Sequence, residues 1–540
     1  MYLDKKNTTI KIQSLLYFLI FISICSYAQK PILSKDFNFE IGEKYKRIKS
    51  LNSYYVASGD RMVTIKKGRN DMTIQRFSLD DLKEDVKKRQ IIEDKGDFQT
   101  VIDLNGKAIV FYTIKDKAYA QKISLTGIVA EKPVLVGSDK ENINDEVSFK
   151  STYGFDAGGR INKFVFKKSF DGTKLLVLFR VKTEKEKADK IGINVYDSNL
   201  NLIWKRKVQL PYATQYLENE DFAIDNEGSF YMTASIFNSA EEDKNKLKNT
   251  FRTEVFKIKE NPKEIIKSKI ELPGASISDA VLGLDKNGKV RVSGFFMDTN
   301  DKVEASGVFS TILDETGLVS STIKSAIPLE IAEKYALKRE ERINEGTQND
   351  NDKKDFEDLK VNNVTFNKDG SMVLLGEQRY VESFTTSSSS GSRTTYKYFY
   401  RDIVTSKLSS DGTMNWFYRL PKNQTGARGK RSMSYSSFKN NGKHYLFYID
   451  NFTNLKRSFD EYPTKYFDGK KDFLYLTSYT INDATGEVIK EPILTGSDIR
   501  NSRLDNLEVH KVATLPNKDM IFELYDGKKN NLLLKVSLAE

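Results

Sequence analysis

Residues 280–296 read AVLGLDKNGKVRVSGFF, and the fold follows from how they are read. Ala280 to Leu284 is a short apolar run. Asp285-Lys286-Asn287-Gly288 is a turn, and Val290 to Phe296 is a second run, rich in β-branched and aromatic residues. Asp and Asn tolerate left-handed backbone angles and Gly adopts them without a Cβ penalty, so the turn closes an antiparallel hairpin. The runs have strand length and lack helical spacing. A third run, Gly307 to Leu313, a second turn, Asp314-Glu315-Thr316-Gly317, and a fourth run, Leu318 to Ile327, complete a four-strand unit over 275–328.

The same grammar recurs along the chain. Ser169-Phe170-Asp171-Gly172-Thr173 precedes Leu175 to Val181, Asp225-Asn226-Glu227-Gly228 precedes Phe230 to Phe237, and Asn367-Lys368-Asp369-Gly370 precedes Met372 to Gly376. Second turns stand at Asp197-Ser198-Asn199 and Ala484-Thr485-Gly486. Unit ends carry a shared mark, Val208-Gln209-Leu210-Pro211, Ile270-Glu271-Leu272-Pro273 and Tyr418-Arg419-Leu420-Pro421, with Ala326-Ile327-Pro328 weaker. A longer echo joins two distant units. Asn105-Gly106-Lys107, Phe111-Tyr112 and Lys132 to Asp139 return in order as Asn441-Gly442-Lys443, Phe447-Tyr448 and Glu491 to Asp498.

Units therefore fall near 45–96, 97–145, 146–212, 213–274, 275–328, 357–424 and 430–497, and 503–540 supplies three strands more. The unpaired segment Asp36 to Ile41 is placed to complete the last of them. Radial four-stranded repeats make a β-propeller, and closing the ring removes exposed edges. The expectation is an all-β chain with a single β-propeller over 29–540. It has eight four-stranded blades, seven being the alternative count because the first unit is poorly marked, and an N-terminal strand closes the ring. Two insertions interrupt it: a helical and charged one over 329–356, with an amphipathic helix across 329–346, and a flexible Ser-rich hairpin end over 385–395. Glu241 to Lys248 reads as an exposed charged loop.

The first residues read as an address. Lys5, Lys6 and Lys11 precede an apolar run from Leu15 to Cys25, and Ser26-Tyr27-Ala28 offers small residues at its first and third places. The reading is a signal peptide over 1–28, cut between Ala28 and Gln29. The run is too short to span a bilayer, which takes ~20 apolar residues. Ile24 is bulky where a lipidated Cys25 needs a small neighbour. Without Cys25 the chain has no cysteine, so no disulfide staples it.

Composition narrows the chemistry. Of 540 residues 39% are hydrophobic, which excludes disorder, and two His and one Cys argue against a His-based metal centre or catalytic set. No cofactor, catalytic residue or metal site is expected, and ligand-binding residues are not assignable from the sequence. Ser409-Ser410-Asp411-Gly412-Thr413 with Trp416 approaches a sialidase-type Asp box, but lacks the spacer between Asp and Gly and reads as an ordinary hairpin. Asp298 to Asp301 and Asn349 to Asp352 lack the glycine of a calcium loop. His444 and His510 read as structural strand residues, and Trp204 and Trp416 as packing between blades. A formal net charge of +11 is densest at Lys66-Lys67-Gly68-Arg69, Lys87-Lys88-Arg89, Lys205-Arg206-Lys207 and Arg428-Gly429-Lys430-Arg431, read as a solubilising surface.

Gly376-Glu377-Gln378-Arg379-Tyr380 and Tyr400-Arg401-Asp402-Ile403-Val404, within Phe366 to Pro421, resemble uncharacterised secreted proteins of Bacteroidota. The Asp-Gly turns resemble those of TolB-type and quinoprotein-like propellers. The resemblance implies a fold and a compartment, and brings no catalytic residues.

The functional expectation is a secreted or periplasmic non-enzymatic scaffold for a protein or an acidic glycan or envelope component. Outer-membrane association and oligomeric state stay open; nucleic acid is not an expected partner, and no transmembrane segment remains after cleavage. Two other readings stand beside it: a carbohydrate-active enzyme using channel-face carboxylates, and a cell-surface structural protein held by its basic face.

Overall fold

The computed structural model describes residues 33–539, apart from 144–162, 239–250, 299–304, 333–355 and 468–473 and shorter breaks at 51, 69, 93–95, 125–129, 139–142, 286, 389–390, 428, 501 and 516. Ala28 and Gln29, the loop Glu241 to Lys248 and most of the 329–356 insertion lie outside the described residues. Of that insertion the short helix Leu329–Ala332 is described. Among the described residues everything else of length is strand, arranged in eight successive sheets, and the fold is all-β and propeller-like.

Each of the first five sheets is a four-stranded meander of sequence neighbours, and the seventh is a four-stranded meander interrupted between its second and third strands. The unit first recognised in the sequence is the fifth sheet, Ala275–Leu284, Val290–Asp298, Gly307–Leu313 and Val319–Ala326. Its turns work as expected. Asp285 Oδ1 accepts from the amides of Asn287 and Lys289, both at 2.9 Å, and Gly288 sits at φ +77°. The two echoed turns are alike as well: Asn105 and Gly106 have φ of 52° and 75°, Asn441 and Gly442 of 46° and 71°, the pair of positive values that a tight type I′ hairpin demands.

The first strands of the eight sheets are Ser53–Ser58, Asp97–Leu104, Phe164–Lys168, Leu217–Ile224, Ala275–Leu284, Leu359–Phe366, Ser436–Asn440 and Leu507–Thr514. The eighth sheet holds three C-terminal strands, and its fourth is Phe37–Ile41, which pairs antiparallel with Asn530–Leu538 from Phe37 opposite Leu538 to Ile41 opposite Leu534. Tyr45–Lys46, placed in the first unit by the sequence reading, pairs with that same strand instead. Gly42 lies between them, and its amide donates to Leu533, so the N-terminal segment stays on one partner.

Cores lie between sheets. Middle strands are buried on both faces, which is why Leu175 to Phe179 is continuously apolar. Leu104, Ile109 and Phe111 of the second sheet pack on Leu175, Val177 and Phe179 of the third, and each such side chain contributes ~1.5–3 kcal/mol by leaving water. Trp204 bridges the third and fourth sheets, its indole donating to the Gly228 carbonyl at 3.0 Å. Trp416 packs with Tyr418 in the layer between the sixth and seventh. Met62 and Phe77 of the first sheet pack with Ala513, Ile521 and Leu533 of the eighth.

Bulges in the first strands hold neighbours in register. Ladders shift between Asn219 and Asp221, Ile277 and Asp279, and Val361 and Asn363. A bulge re-aims the side chains beside it. Asp221 thereby accepts the Leu282 amide of the next sheet at 2.9 Å, and Asp279 the Val361 amide of the sheet after at 2.7 Å.

Two expectations need correction. Lys66 and Lys67 are not surface charge: they are 1% and 5% exposed, because Lys66 pairs with Glu523 of the eighth sheet and Lys67 with Asp97 of the second. The sixth sheet exceeds four strands, with Gln424–Gly426 and Tyr466–Phe467 added. The hairpin that carries the Ser-rich end keeps its strand pairing as far as Ser388 opposite Gly391. By contrast Lys87, Lys88, Lys205 and Lys207 are exposed on fourth strands, as expected of surface charge. Among the described residues no helix is long and apolar enough to cross a membrane.

Candidate functional site

The sixth sheet departs from the repeat, and its departure builds the site. Met372–Ser388 and Gly391–Leu408 extend far beyond ordinary strand length, with a register shift between Glu377 and Arg379. The fourth strand ends at Leu420 and the chain turns at Pro421. It then re-pairs higher on Gly391–Leu408, with Gln424 opposite Tyr400 and Gly426 opposite Tyr398. This linker to the seventh sheet is buried although polar: Lys422, Asn423, Gln424, Thr425, Ser432 and Ser434 are all at most 3% exposed. Buried polar groups need partners: Lys422 and Ser434 find theirs on the sixth sheet and Gln424 on the seventh, while the Thr425 hydroxyl has none among the described residues.

Glu377 is the hub. Lys422 Nζ lies 2.8 Å from its Oε1, while Ser434 Oγ donates to Oε2 at 2.7 Å and Asn362 Nδ2 at 3.3 Å. Lys422 also donates to the Tyr400 carbonyl at 3.1 Å and to Gln424 Oε1 at 3.3 Å. Gln424 donates onward to the Ile449 carbonyl of the seventh sheet at 2.7 Å. A second carboxylate, Asp402, takes Arg419 Nε at 2.6 Å and the Lys422 amide at 2.9 Å. Burial by itself would raise the Glu377 carboxyl, but Lys422, Lys430 and the donated hydrogen bonds outweigh it and hold it below its ordinary value. Glu377 is thus a fixed anion.

Around this hub two groups stay uncommitted. The Lys430 ammonium has no hydrogen bond or ion pair among the described residues, although Glu377, Arg379 and Lys422 all act on it. Burial, with repulsion from Arg379 and Lys422, lowers its proton affinity against the pull of Glu377. His510, from the first strand of the eighth sheet, faces the Arg431 main-chain carbonyl, and its Nδ1 is buried without a partner. Burial, then Lys430 and Lys511, push its pKa well below the usual imidazole value, so the ring is neutral.

The other histidine forms a separate node. His444 Nε2 lies 3.5 Å from Asp483 Oδ1, and Asp483 Oδ2 accepts from Asn367 at 2.8 Å. Burial opposes ionisation there, yet the bonds from His444 and Asn367 and the charge of Lys439 hold the Asp483 carboxyl far below its ordinary value. Through Asn367 this carboxylate ties the turn after the sixth sheet's first strand to the seventh sheet. The Ser409 turn is likewise a plain hairpin, with Asp411 Oδ1 accepting the Thr413 amide at 2.9 Å. Among the described residues no group of three or more His, Cys, Asp or Glu is arranged to hold a metal ion.

The sequence reading singled out neither Glu377, Lys422 and Ser434 as a cluster nor His510 as part of one. Lys430 was taken for surface charge and is in fact largely interior. The available signal was the polar run Lys422-Asn423-Gln424-Thr425 directly after a unit-ending Leu-Pro mark.

No family model and no curated protein matches the chain. Among solved structures it is similar over 91% of its length to Saccharomyces cerevisiae Sqt1, covering 97% of that chain at 9% identity and a TM-score of 0.39. It is similar over 88% of its length to a post-proline cleaving enzyme from Rickettsia typhi, covering 58% of that chain at 11% identity and a TM-score of 0.37. A protein of unknown function from Bacteroides caccae is matched over 68% of this chain and 93% of that one, at 10% identity and a TM-score of 0.28.

Proposed function

We propose that the chain is a secreted or periplasmic eight-bladed β-propeller, closed by its N-terminal strand, that serves as a non-enzymatic scaffold binding a protein or glycan. The ring is supported by two things. First strands of most neighbouring sheets lie against one another, those of the eighth and the first included, and Phe37–Ile41 completes the eighth sheet. Scaffolding is supported chiefly by the state of Glu377. A general acid or base must gain and lose a proton near neutral pH, and this carboxylate is held ionised by Lys422, Ser434 and Asn362. Its neighbourhood offers fixed charge, which suits recognition.

The test is retention. Immobilised protein is incubated with a native envelope extract and the bound material is recovered. A component retained repeatedly and returned at its original mass is the expected outcome. Recovery of shortened polysaccharide or clipped protein would point to the carbohydrate-active or another enzymatic reading. N-terminal sequencing of the exported chain, expected to begin at Gln29, tests the compartment.

A further inference from the structure

We propose that the projecting hairpin of the sixth sheet joins two copies of this chain, by antiparallel pairing of residues 381–387 across a two-fold axis at Phe384. The hairpin outgrows its sheet. On one side the neighbouring strand stops at Leu359 opposite Gln378, and on the other the re-paired linker stops at Gly426 opposite Tyr398. Beyond those points residues 381–387 and 392–397 pair only with each other among the described residues. Side chains reinforce that ladder. The Thr385 and Thr394 hydroxyls lie 3.0 Å apart, and Thr386 and Thr395 donate to the carbonyls of Arg393 and Phe384, both at 3.3 Å. A two-stranded ribbon is marginal in water, and a further strand along its edge is what stabilises it.

Charge selects which edge pairs. Sheet edges are commonly guarded by lysine or proline, and several edges of this chain are. Exposed Lys87 and Lys88, Lys205 and Lys207, Lys267 and Lys269, and Lys324 stand on the outer strands of the first, third, fourth and fifth sheets, and Pro492 on that of the seventh. In the ribbon Arg393 and Lys397 guard one strand. The other, Val381-Glu382-Ser383-Phe384-Thr385-Thr386-Ser387, has no lysine, no proline and a single charge, which stands in register with Lys397 of its own hairpin. A second copy of that strand fits it. Centred on Phe384, the pairing sets Glu382 opposite Thr386, Ser383 opposite Thr385 and Val381 opposite Ser387, with no charge facing a charge. The same pairing along the guarded strand, centred on Thr395, sets Arg393 against Lys397 and is repelled. Phe384, 50% exposed, meets its own copy on the axis as an aromatic cross-strand pair. Antiparallel pairing leaves the two bodies at opposite ends of a four-stranded sheet, with about 24 Å of paired strand between them. The two-fold closes the assembly at two chains.

The experiment is sedimentation equilibrium on the full-length protein. The mass is expected to pass from one chain to two as concentration rises through the micromolar range, the strength of a contact smaller than a standard interface. Phe384→Lys should weaken association about tenfold or more, because like charges then meet on the axis, and Phe384→Glu should do the same. The two variants mixed should associate again, and that recovery also shows that each is folded. Phe170→Lys, at the other widely exposed phenylalanine, should change nothing. A chain that stays monomeric, a dimer that Phe384→Lys leaves intact, or a mixture that associates no better than its components overturns the proposal. An envelope protein held on this edge by a chain that remains monomeric assigns the edge to another partner and overturns it as well.

Discussion

Glu377 and Lys422 are each fully removed from solvent and stand 2.8 Å apart, so they permit a clean double-mutant cycle. Lys422→Met removes the cation and leaves an ionised carboxylate with only Ser434 and Asn362 as donors. Breaking a buried pair from one side costs about 3–5 kcal/mol, whereas replacing both charges by apolar groups of similar volume is far milder. Glu377→Leu with Lys422→Met should therefore be more stable than either single variant, with a coupling of about 2 kcal/mol or more. Unfolding entropy of ~2.1 cal/mol/K per residue over ~500 residues gives ~1 kcal/mol/K, so the single variants should lose ~3–5 °C in Tm. Scanning calorimetry at neutral pH reads all four proteins. A double variant as unstable as the two single losses added together would refute the view that electrostatic pairing, and not packing alone, governs this position.

Three further outcomes follow from the same structure. The folded His510 is held below its unfolded pKa, so the unfolded chain binds the extra proton; stability should fall as pH drops from about 7 through the unfolded value near 6.5, and His510→Gln should flatten that limb in pH-dependent melting. Asp279→Ala should cost ~1.5–3 kcal/mol and speed hydrogen exchange at the Val361 amide, which loses its acceptor; unchanged exchange there would contradict the link between the fifth and sixth sheets. Gly486→Ala should destabilise by ~1–3 kcal/mol, since φ is +76° and a Cβ would sit 2.9 Å from the Trp416 ring, and thermal melting checks it.

Local structure was legible because its causes are local. Asp285 and Gly288 form their turn with atoms four residues apart, and Asn441-Gly442 specifies its hairpin without outside help. Even the pairing of Phe37–Ile41 was readable, as the last unit visibly lacked a strand. The charged cluster was not. Lys66 reads as surface until Glu523, 457 residues away, is seen beside it. Glu377 stands in the sixth sheet, Lys430 in the linker after it and His510 in the eighth sheet, and nothing near Lys430 in the chain signals that it turns inward. Side chains whose partners arrive through tertiary packing carry no local mark, so the strands could be placed in advance and the site could not.

The strand Asn530–Leu538 owes two of its three partners, Phe37–Ile41 and Tyr45–Lys46, to the other end of the chain. Nearly the whole polypeptide must therefore be synthesised before Phe37–Ile41 finds its seat, and that pairing is among the last contacts available to a folding chain. A product clipped anywhere near its C-terminus would display both Phe37–Ile41 and the cut strand's neighbour as bare edges, the kind of surface on which chains add to one another. The shared sheet thus doubles as a check on integrity, distinguishing whole molecules from damaged ones by whether an edge is left open.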